Sequence, residues 1–367
     1  MKVLMSSTEK RPKILYIVES MGGGVFSYIV ALTNQICNKF EVTVAYALRS
    51  QTPKDFATYF DKRIKLIEVK NFTRSISIKQ DTKAFFEIKE IYKQVQPDIV
   101  HIHSSKAGVI GRWAINGKKV KMFYTPHGYA FLKKDDSVFK RHIYKYIEWI
   151  SARRTCMTIA CSKGEYEATL DLTKNATYIN NGINISEFDK LEYNKFSGKN
   201  IFDICTVGRI CYQKNPKLFN KIAEQFPNIN FTWIGDGEMR DKLTSPNIKI
   251  TGWVDRKRAF SIMNKSNVFL LTSLWEGLPI SLLEAMYLQK ICIVSNVIGN
   301  RDVIRHCDNG LVAQTLMDYS VIINRLINGE YNLQSIKTKS HLDIIDNYTS
   351  LIMADKYHKL YNKFYVI

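Results

Sequence analysis

Apolar residues in this chain fall into short runs, and stretches with helical spacing separate them. Lys13 to Glu19 (KILYIVE), Glu41 to Ala47, Ile64 to Val69, Asp98 to His103, Met122 to Thr125, Met157 to Cys161 and Thr177 to Ile179 read as buried strands. Runs of this length are too brief for helices. Between them, Val25 to Cys37, Lys79 to Val95, Lys106 to Asn116 and Val138 to Arg154 repeat apolar residues every three or four positions. That period predicts helices with one face on a sheet. After the breaks Asn180-Asn181-Gly182 and Ser197-Gly198-Lys199-Asn200 the alternation resumes. Ile201 to Val207, Asn230 to Ile234, Ile248 to Gly252, Val268 to Leu271 and Ile291 to Val294 are its strands. Residues 256–264 and the amphipathic tail Thr349 to Phe364 are predicted helices. The pattern predicts an α/β protein with parallel sheets covered on both faces. The turn-rich stretch near 180–198 divides two such units, drawn as 1–185 and 186–345, with 346–367 as a terminal helix.

Ligands in such sheets bind beyond the carboxyl ends of the strands, so strand ends are where chemistry is sought. VFLLTSLWEGLPISLLEAM (268–286) is a strand, a turn and a helix, with Pro279 at the helix start. Two carboxylates flank the turn: Glu276 in the loop and Glu284 in the helix. The free N–H groups of Gly277, Leu278, Pro279's successor Ile280 and the turn around them suit an anion. The plain alternative is a solvated loop residue and a helix-dipole partner. Ser20-Met21-Gly22-Gly23-Gly24 follows the first strand, and Gly23 and Gly24 predict close backbone approach to a phosphate. It is not GxGxxG, so no dinucleotide fingerprint is read. Ser27 adds a hydroxyl nearby. Arg209, with Lys214 five residues later beside a helix start, suits a diphosphate. His127 in Thr125-Pro126-His127-Gly128 stands at a strand end, with Gly128 allowing close approach. His101 and His103 share one strand face; a metal pair or strand-end residues near the cleft are the two readings, and no third ligand lies near.

The 367 residues carry 53 Lys and Arg against 34 Asp and Glu, a net charge of +19. The excess is uneven, +14 in residues 1–175 and +5 in the remainder. A basic first half points to an anionic partner such as a phosphorylated lipid or an anionic membrane surface. Helix 138–154 carries Phe139, Ile143, Tyr146, Ile147 and Ile150 on one stripe flanked by lysines and arginines. Such a stripe rests on an anionic membrane or, more commonly, packs on the sheet, and both hold if the stripe is core and the lysines face lipid. No apolar run approaches a membrane span, and the N-terminus lacks a signal-peptide pattern, so a cytoplasmic protein is expected. The seven cysteines form no CxxC pair and read as reduced structural residues. Neither a zinc spacing nor an Asp-x-Asp pair is present, and no metal or cofactor is expected.

The set GGG (22–24), TPHG (125–128), VGR with Lys214 (207–214), IGDGE (234–238), TGW (251–253) and EGLPISLLEAM (276–286) resembles glycosyltransferase family 4 across nearly the whole chain. The resemblance implies a retaining, metal-independent enzyme of the GT-B fold: two facing Rossmann-like domains, a deep cleft, and a last helix crossing back. It implies a nucleotide-sugar donor, usually of uridine, on the C-terminal domain and an acceptor on the N-terminal one. Arg209 and Lys214 would then neutralise the diphosphate, Glu284 would hold ribose, and Glu276 would hold donor-sugar hydroxyls. Amides at Gly277–Ile280 and Gly23–Gly24 would meet phosphates, and His127 would lie beside the sugar. Family members that build bacterial capsule, exopolysaccharide or O-antigen use lipid-diphosphate-linked glycan acceptors at the inner leaflet, which implies peripheral membrane association. A nucleotide-sugar epimerase of similar double-Rossmann build is the alternative, and it needs acid/base carboxylates that the first half does not offer. Nucleic acid is not an expected partner, because no binding motif or stacking platform accompanies the charge.

Overall fold

The structure is a computed structural model and describes residues 11–364 except 50, 74, 135 and 190–202. The Ser197–Asn200 break and the predicted strand start at Ile201 lie outside the described residues.

Two parallel sheets form. The first holds β1 (Lys13–Val18), β2 (Glu41–Tyr46), β3 (Lys65–Glu68), β4 (Ile99–His103), β5 (Lys121–Thr125), β6 (Met157–Ala160) and β7 (Ala176–Tyr178), in the order β3-β2-β1-β4-β5-β6-β7. The second holds β8 (Asp203–Val207), β9 (Asn230–Ile234), β10 (Ile248–Ile250), β11 (Val268–Leu271), β12 (Ile291–Ser295) and β13 (Leu311–Ala313), in the order β10-β9-β8-β11-β12-β13. Both sheets reverse their winding once, between β1 and β4 and between β8 and β11. A crevice opens where the helices on either side of such a switch leave to opposite faces. The central strands β1, β4, β11 and β12 are apolar and buried on both faces, as parallel sheets require.

The covering helices of the first sheet are α1 (Gly23–Ile36), α2 (Ile78–Val95), α3 (Ser105–Ala114), α4 (Val138–Ser151) and α5 (Lys163–Leu170). Those of the second are α6 (Pro216–Gln225), α7 (Arg256–Lys265), α8 (Ile280–Tyr287), α9 (Asn300–Val303), α10 (Leu316–Ile327) and α11 (Leu333–Asn347). The last, α12 (Ser350–Asn362), returns to the first sheet. Its Tyr357 bonds Tyr28 of α1 at 2.6 Å, and its Tyr361 meets His101 of β4 at 2.6 Å. The chain crosses between the sheets twice, and the crossings touch: Ile183 pairs with Tyr348 and Ser350 through backbone bonds of 2.8 and 2.7 Å.

Two helices depart from the simple amphipathic expectation. All of α8 except Ser281 is buried, so it is a core helix rather than a one-faced one. Pro279 is its N-cap, in extended geometry, and Ile280 opens the helix. In α4 the aromatic stripe does not pack on the sheet: Phe139, Ile143 and Tyr146 are exposed, and Phe139 is 76% so. The inward face carries Glu148 and Ser151 instead. Glu148 pairs with buried Arg112 at 2.6 Å and accepts from Tyr124 Oη at 2.9 Å. The helix has two candidate faces, and a buried ion pair decided between them where hydropathy alone chose the other.

Candidate active site

A cleft of about 830 Å³ lies between the two sheets at both switch points. Gly23, Gly24, His127, Arg209, Lys214, Glu276, Gly277, Leu278, Pro279, Ile280 and Glu284, all singled out from sequence, line it together.

The loop after β11 sets one wall. Lys214 closes a one-turn helix, Tyr212–Lys214, and Asn215 in left-handed geometry turns the chain into α6. This points Lys214 Nζ at Glu276 Oε1, 2.7 Å away. Gln213 Nε2 reaches Glu276 Oε2 at 3.3 Å and the Trp275 carbonyl at 3.0 Å. Arg209, at the end of β8, forks onto both oxygens of Glu238, at 2.9 and 2.7 Å. Glu284, in the second turn of α8, is 4% exposed and faces Arg256 at the start of α7. The contact is 2.7 Å but off the angle of a hydrogen bond, so Oε1 is a buried carboxylate oxygen lacking one. Burial raises the Glu284 pKa, and Arg256 opposes the rise. Arg256 also binds Glu187 at 2.7 Å and Ser27 Oγ of α1 at 2.7 Å, so it spans the cleft.

The cleft wall is not net cationic. Lys54, Lys133, Arg209, Lys214 and Arg256 are balanced by Asp55, Glu238, Asp255, Glu276 and Glu284. Positive charge is therefore a matter of position: Arg209, Lys214 and Arg256 are each held in place by a carboxylate and present their remaining donors to the cleft.

Across the cleft, beside Lys54, Asp55 and Lys133, stand groups that carry no charge. Helix α1 starts at the glycine loop without a side-chain cap, and α8 likewise lacks one, so the first-turn N–H groups of both helices have no side-chain acceptor. His127 sits at φ 55 and Gly128 at φ 91, the left-handed region, and a β-carbon on Gly277 would lie 2.8 Å from Gly128 N. Glycines there let the two loops touch. His127 is half-buried, and desolvation lowers its pKa to about 3, so the ring is neutral. Its Nε2 lies 3.0 Å from Nδ1 of His103, and their rings stack at 5.2 Å. His101 and His103 are fully buried and likewise depressed by desolvation. They serve the hydrogen-bond network, and among the described residues no cluster of three His, Cys, Asp or Glu can hold a metal.

Several partners go unmarked by local sequence. Arg256 lies at a helix start just past the TGW motif, and Gln213 immediately precedes Lys214. Glu165 is the least legible. Ser162-x-x-Glu165 reads as a helix cap, and Ser162 Oγ does accept from Glu165 N–H. The carboxylate goes elsewhere: it accepts Gly128 N–H at 2.6 Å and Cys161 N–H at 2.7 Å. It thereby pins the loop that carries His127.

Residues 22–187 match the profile described as Glycosyltransferase Family 4, and residues 187–341 the one described as Glycosyl transferases group 1. The chain is similar to the Escherichia coli UDP-Gal:alpha-D-GlcNAc-diphosphoundecaprenol alpha-1,3-galactosyltransferase, 30% identical over 333 residues, 83% of this chain and 85% of that one. It is 25% identical over 349 residues to the Staphylococcus aureus capsular polysaccharide biosynthesis glycosyltransferase CapM, 86% of this chain and 89% of that one. In fold it is similar to the sucrose-phosphate synthase of Thermosynechococcus elongatus, with a TM-score of 0.79, 15% identity and coverage of 97% and 99% of the two chains. The two parallel-sheet domains, the crossing last helix and the matched profiles agree, and the chain belongs to glycosyltransferase family 4, with the GT-B fold.

Proposed function

We propose that this glycosyltransferase moves a sugar, with retention of anomeric configuration, from a UDP-sugar to a glycan carried on a lipid diphosphate, in bacterial surface polysaccharide synthesis. The observation that carries the reading is the convergence of Arg209, Lys214, Glu276 and Glu284 on one cleft facing His127 and two uncapped helix starts. The similar E. coli enzyme names a UDP-sugar donor and a diphosphoundecaprenol-linked acceptor. Residues 186–345 take the donor and 1–185 the acceptor; residues 346–367 tie the chain back to the first domain.

Sugar transfer leaves negative charge on the departing diphosphate and positive charge on the sugar. Groups fixed before reaction stabilise such charge best. Arg209 and Lys214 turn donors from their carboxylates to the phosphates, and the amides of Gly23–Gly24 and Gly277–Ile280 add theirs. Glu284 takes the ribose hydroxyls with the oxygen that lacks a hydrogen bond. Glu276 holds donor-sugar hydroxyls, and His127 lies beside the sugar. The cations replace a divalent ion, so the reaction is metal-independent, and the leaving phosphate assists removal of the acceptor proton.

The outward face of α4 gives the acceptor side a place to rest. Phe139, Ile143, Tyr146 and Trp149 are exposed, with Lys140, Arg141, Lys145 and Arg153 around them. Lys133, just before this helix, lines the cleft. No described helix is long and apolar enough to cross a membrane. An aromatic stripe with basic flanks instead lies in an anionic interface. The N-terminal domain therefore docks on the inner leaflet and presents the cleft to the lipid-linked acceptor.

The test is transfer from a panel of labelled UDP-sugars to a prenyl-diphosphate-linked N-acetylhexosamine, with the product anomer read by NMR. Transfer that persists in EDTA and keeps the donor's configuration is expected. Loss in EDTA, an inverted product, or preference for a non-uridine donor overturns the corresponding element. Donor turnover to an epimer without acceptor would establish the epimerase alternative.

A further inference from the structure

We propose that His103 is a positioning residue: its Nδ1–H donates to His127 Nε2, and this fixes His127 as the tautomer whose proton sits on Nδ1. The proposal rests on the reading of His127 as the group beside the donor sugar.

The number of donors available decides the direction of this bond. His103 Nδ1 and His127 Nε2 are 3.0 Å apart, so one nitrogen carries a hydrogen and the other accepts it. Both rings are neutral, because burial depresses both. A neutral imidazole holds one N–H. If His127 donated, His103 would carry its only proton on Nε2. That atom is buried and has no partner among the described residues, so an N–H would be stranded. If His103 donates, Nε2 is a bare lone pair. Buried N–H groups without partners are rarer than under-satisfied acceptors. The surroundings hold the ring plane: His103 stacks on Tyr16 at 5.6 Å and packs against the tilted ring of His101 at 4.0 Å. Tyr28 meets His127 edge to face at 4.6 Å.

The consequence is chemical. With Nε2 engaged as an acceptor, His127 has Nδ1–H for the cleft that its ring lines. It is a neutral hydrogen-bond donor to an oxygen of the bound sugar. It has no vacant nitrogen with which to take the acceptor's proton, so it is not the general base. Glu165 holds the backbone of the same loop through Gly128 N–H. Backbone position and side-chain tautomer are thus set by two different residues, neither of which touches substrate.

The experiment uses the full-length protein labelled with 15N-histidine, with His127→Asn to assign the ring. Long-range proton–nitrogen correlations of the unmutated protein are expected to show His127 protonated on Nδ1. Protonation on Nε2 overturns the proposal independently of any His103 variant. His103→Leu, checked by melting and by UDP affinity, is expected to lose the single tautomer and to lower kcat about 10- to 100-fold with UDP affinity unchanged, the loss of one oriented hydrogen bond. His103→Asn keeps a donor at the Nδ1 position and is expected to restore both the tautomer and most of kcat. Unchanged kcat in His103→Leu, or equal loss in both variants, also overturns it. If UDP binds none of the proteins, the donor reading fails instead, while the spectrum of the unmutated protein still decides the tautomer.

Discussion

The wall of the cleft built by the second domain meets the ligand with ion pairs, Arg209 on Glu238, Lys214 on Glu276 and Arg256 on Glu284. The wall built by the first domain meets it with a neutral histidine, backbone amides and a buried stack of histidine and tyrosine rings. The charged wall is exchangeable: each cation is oriented by a carboxylate and can share its donors with an incoming anion. The neutral wall is fixed, because its groups are buried and hydrogen-bonded in one arrangement. Donor capture suits the first design, and orientation of the reacting sugar suits the second. Breaking the charged wall should therefore cost reaction rate, and breaking the neutral wall should cost stability and alignment.

The largest expected effect is on the charged side. Lys214→Ala leaves Glu276 without its ion-pair partner and, on the proposed reading, removes one oriented cation from the leaving diphosphate. A loss in kcat/KM of about 100- to 1,000-fold is expected, the range for removing one preorganised donor. Initial rates with varied donor give the number, and a melting curve shows that the fold persists. A Lys214→Ala enzyme that transfers at the normal rate would place the diphosphate elsewhere and end the contrast between the walls.

Glu165→Ala probes the neutral wall. Two buried N–H groups, Gly128 and Cys161, lose their acceptor. Each costs about 1–3 kcal/mol, so a destabilisation of about 2–6 kcal/mol is expected by denaturant titration. Turnover measured well below the melting range should fall less than in Lys214→Ala. The reverse order of effects would mean that the His127 loop, and not the cation pair, limits the reaction.

How much of this was legible follows from distance along the chain. Arg209 with Lys214, and Glu276 with Glu284, are near in sequence and sit at strand ends, so spacing and topology place them. The sheets were legible for the same reason: Asn230 to Ile234 forms with the predicted bounds, and most other predicted strands differ from the observed ones by one or two residues. The histidine–tyrosine stack was not. It joins β1, α1, β4 and β5 to α12 across as many as 345 positions, as in the contact of Tyr16 with Tyr361, and no periodicity encodes such a meeting. Glu165 drew no notice because its local signature, a helix cap, does not announce its actual partners, the Gly128 and Cys161 N–H groups. The α4 stripe was misassigned because its inward face is an Arg112–Glu148 pair, which a hydropathy wheel reads as surface.

The neutral wall also has a pH signature. His101 and His103 are held neutral when folded, while the unfolded chain protonates them near pH 6.5. Below that pH the unfolded state binds more protons, so stability falls as pH falls. Each histidine contributes a slope of about 1.4 kcal/mol per pH unit over the window between its unfolded and folded values. Glu165 and Glu284 act in the opposite sense, since burial raises their pKa and protonation below it relieves the folded state. Comparing the unmutated protein with His103→Asn isolates one histidine: between pH 6 and 5 the slope should flatten by about 1.4 kcal/mol per unit. Parallel stability curves would show that His103 is solvated or charged in the folded protein.

The smallest effect belongs to a third surface, which tests whether the neutral wall's domain is the one that meets lipid. Lys140 is exposed beside Phe139 on α4, and neither touches the cleft. Near an anionic bilayer each basic side chain contributes about 1 kcal/mol. Lys140→Ala should weaken partition onto phosphatidylserine-containing liposomes about fivefold at low salt, since about 1.4 kcal/mol is tenfold in an equilibrium. The difference should shrink as salt is raised, because exposed charges are screened within about 10 Å at 0.1 M ionic strength. Phe139→Ser should weaken partition at every salt concentration, since its contribution is apolar. If both variants partition like the unmutated protein, α4 does not face the membrane, and the outward turn of its aromatic stripe needs another partner.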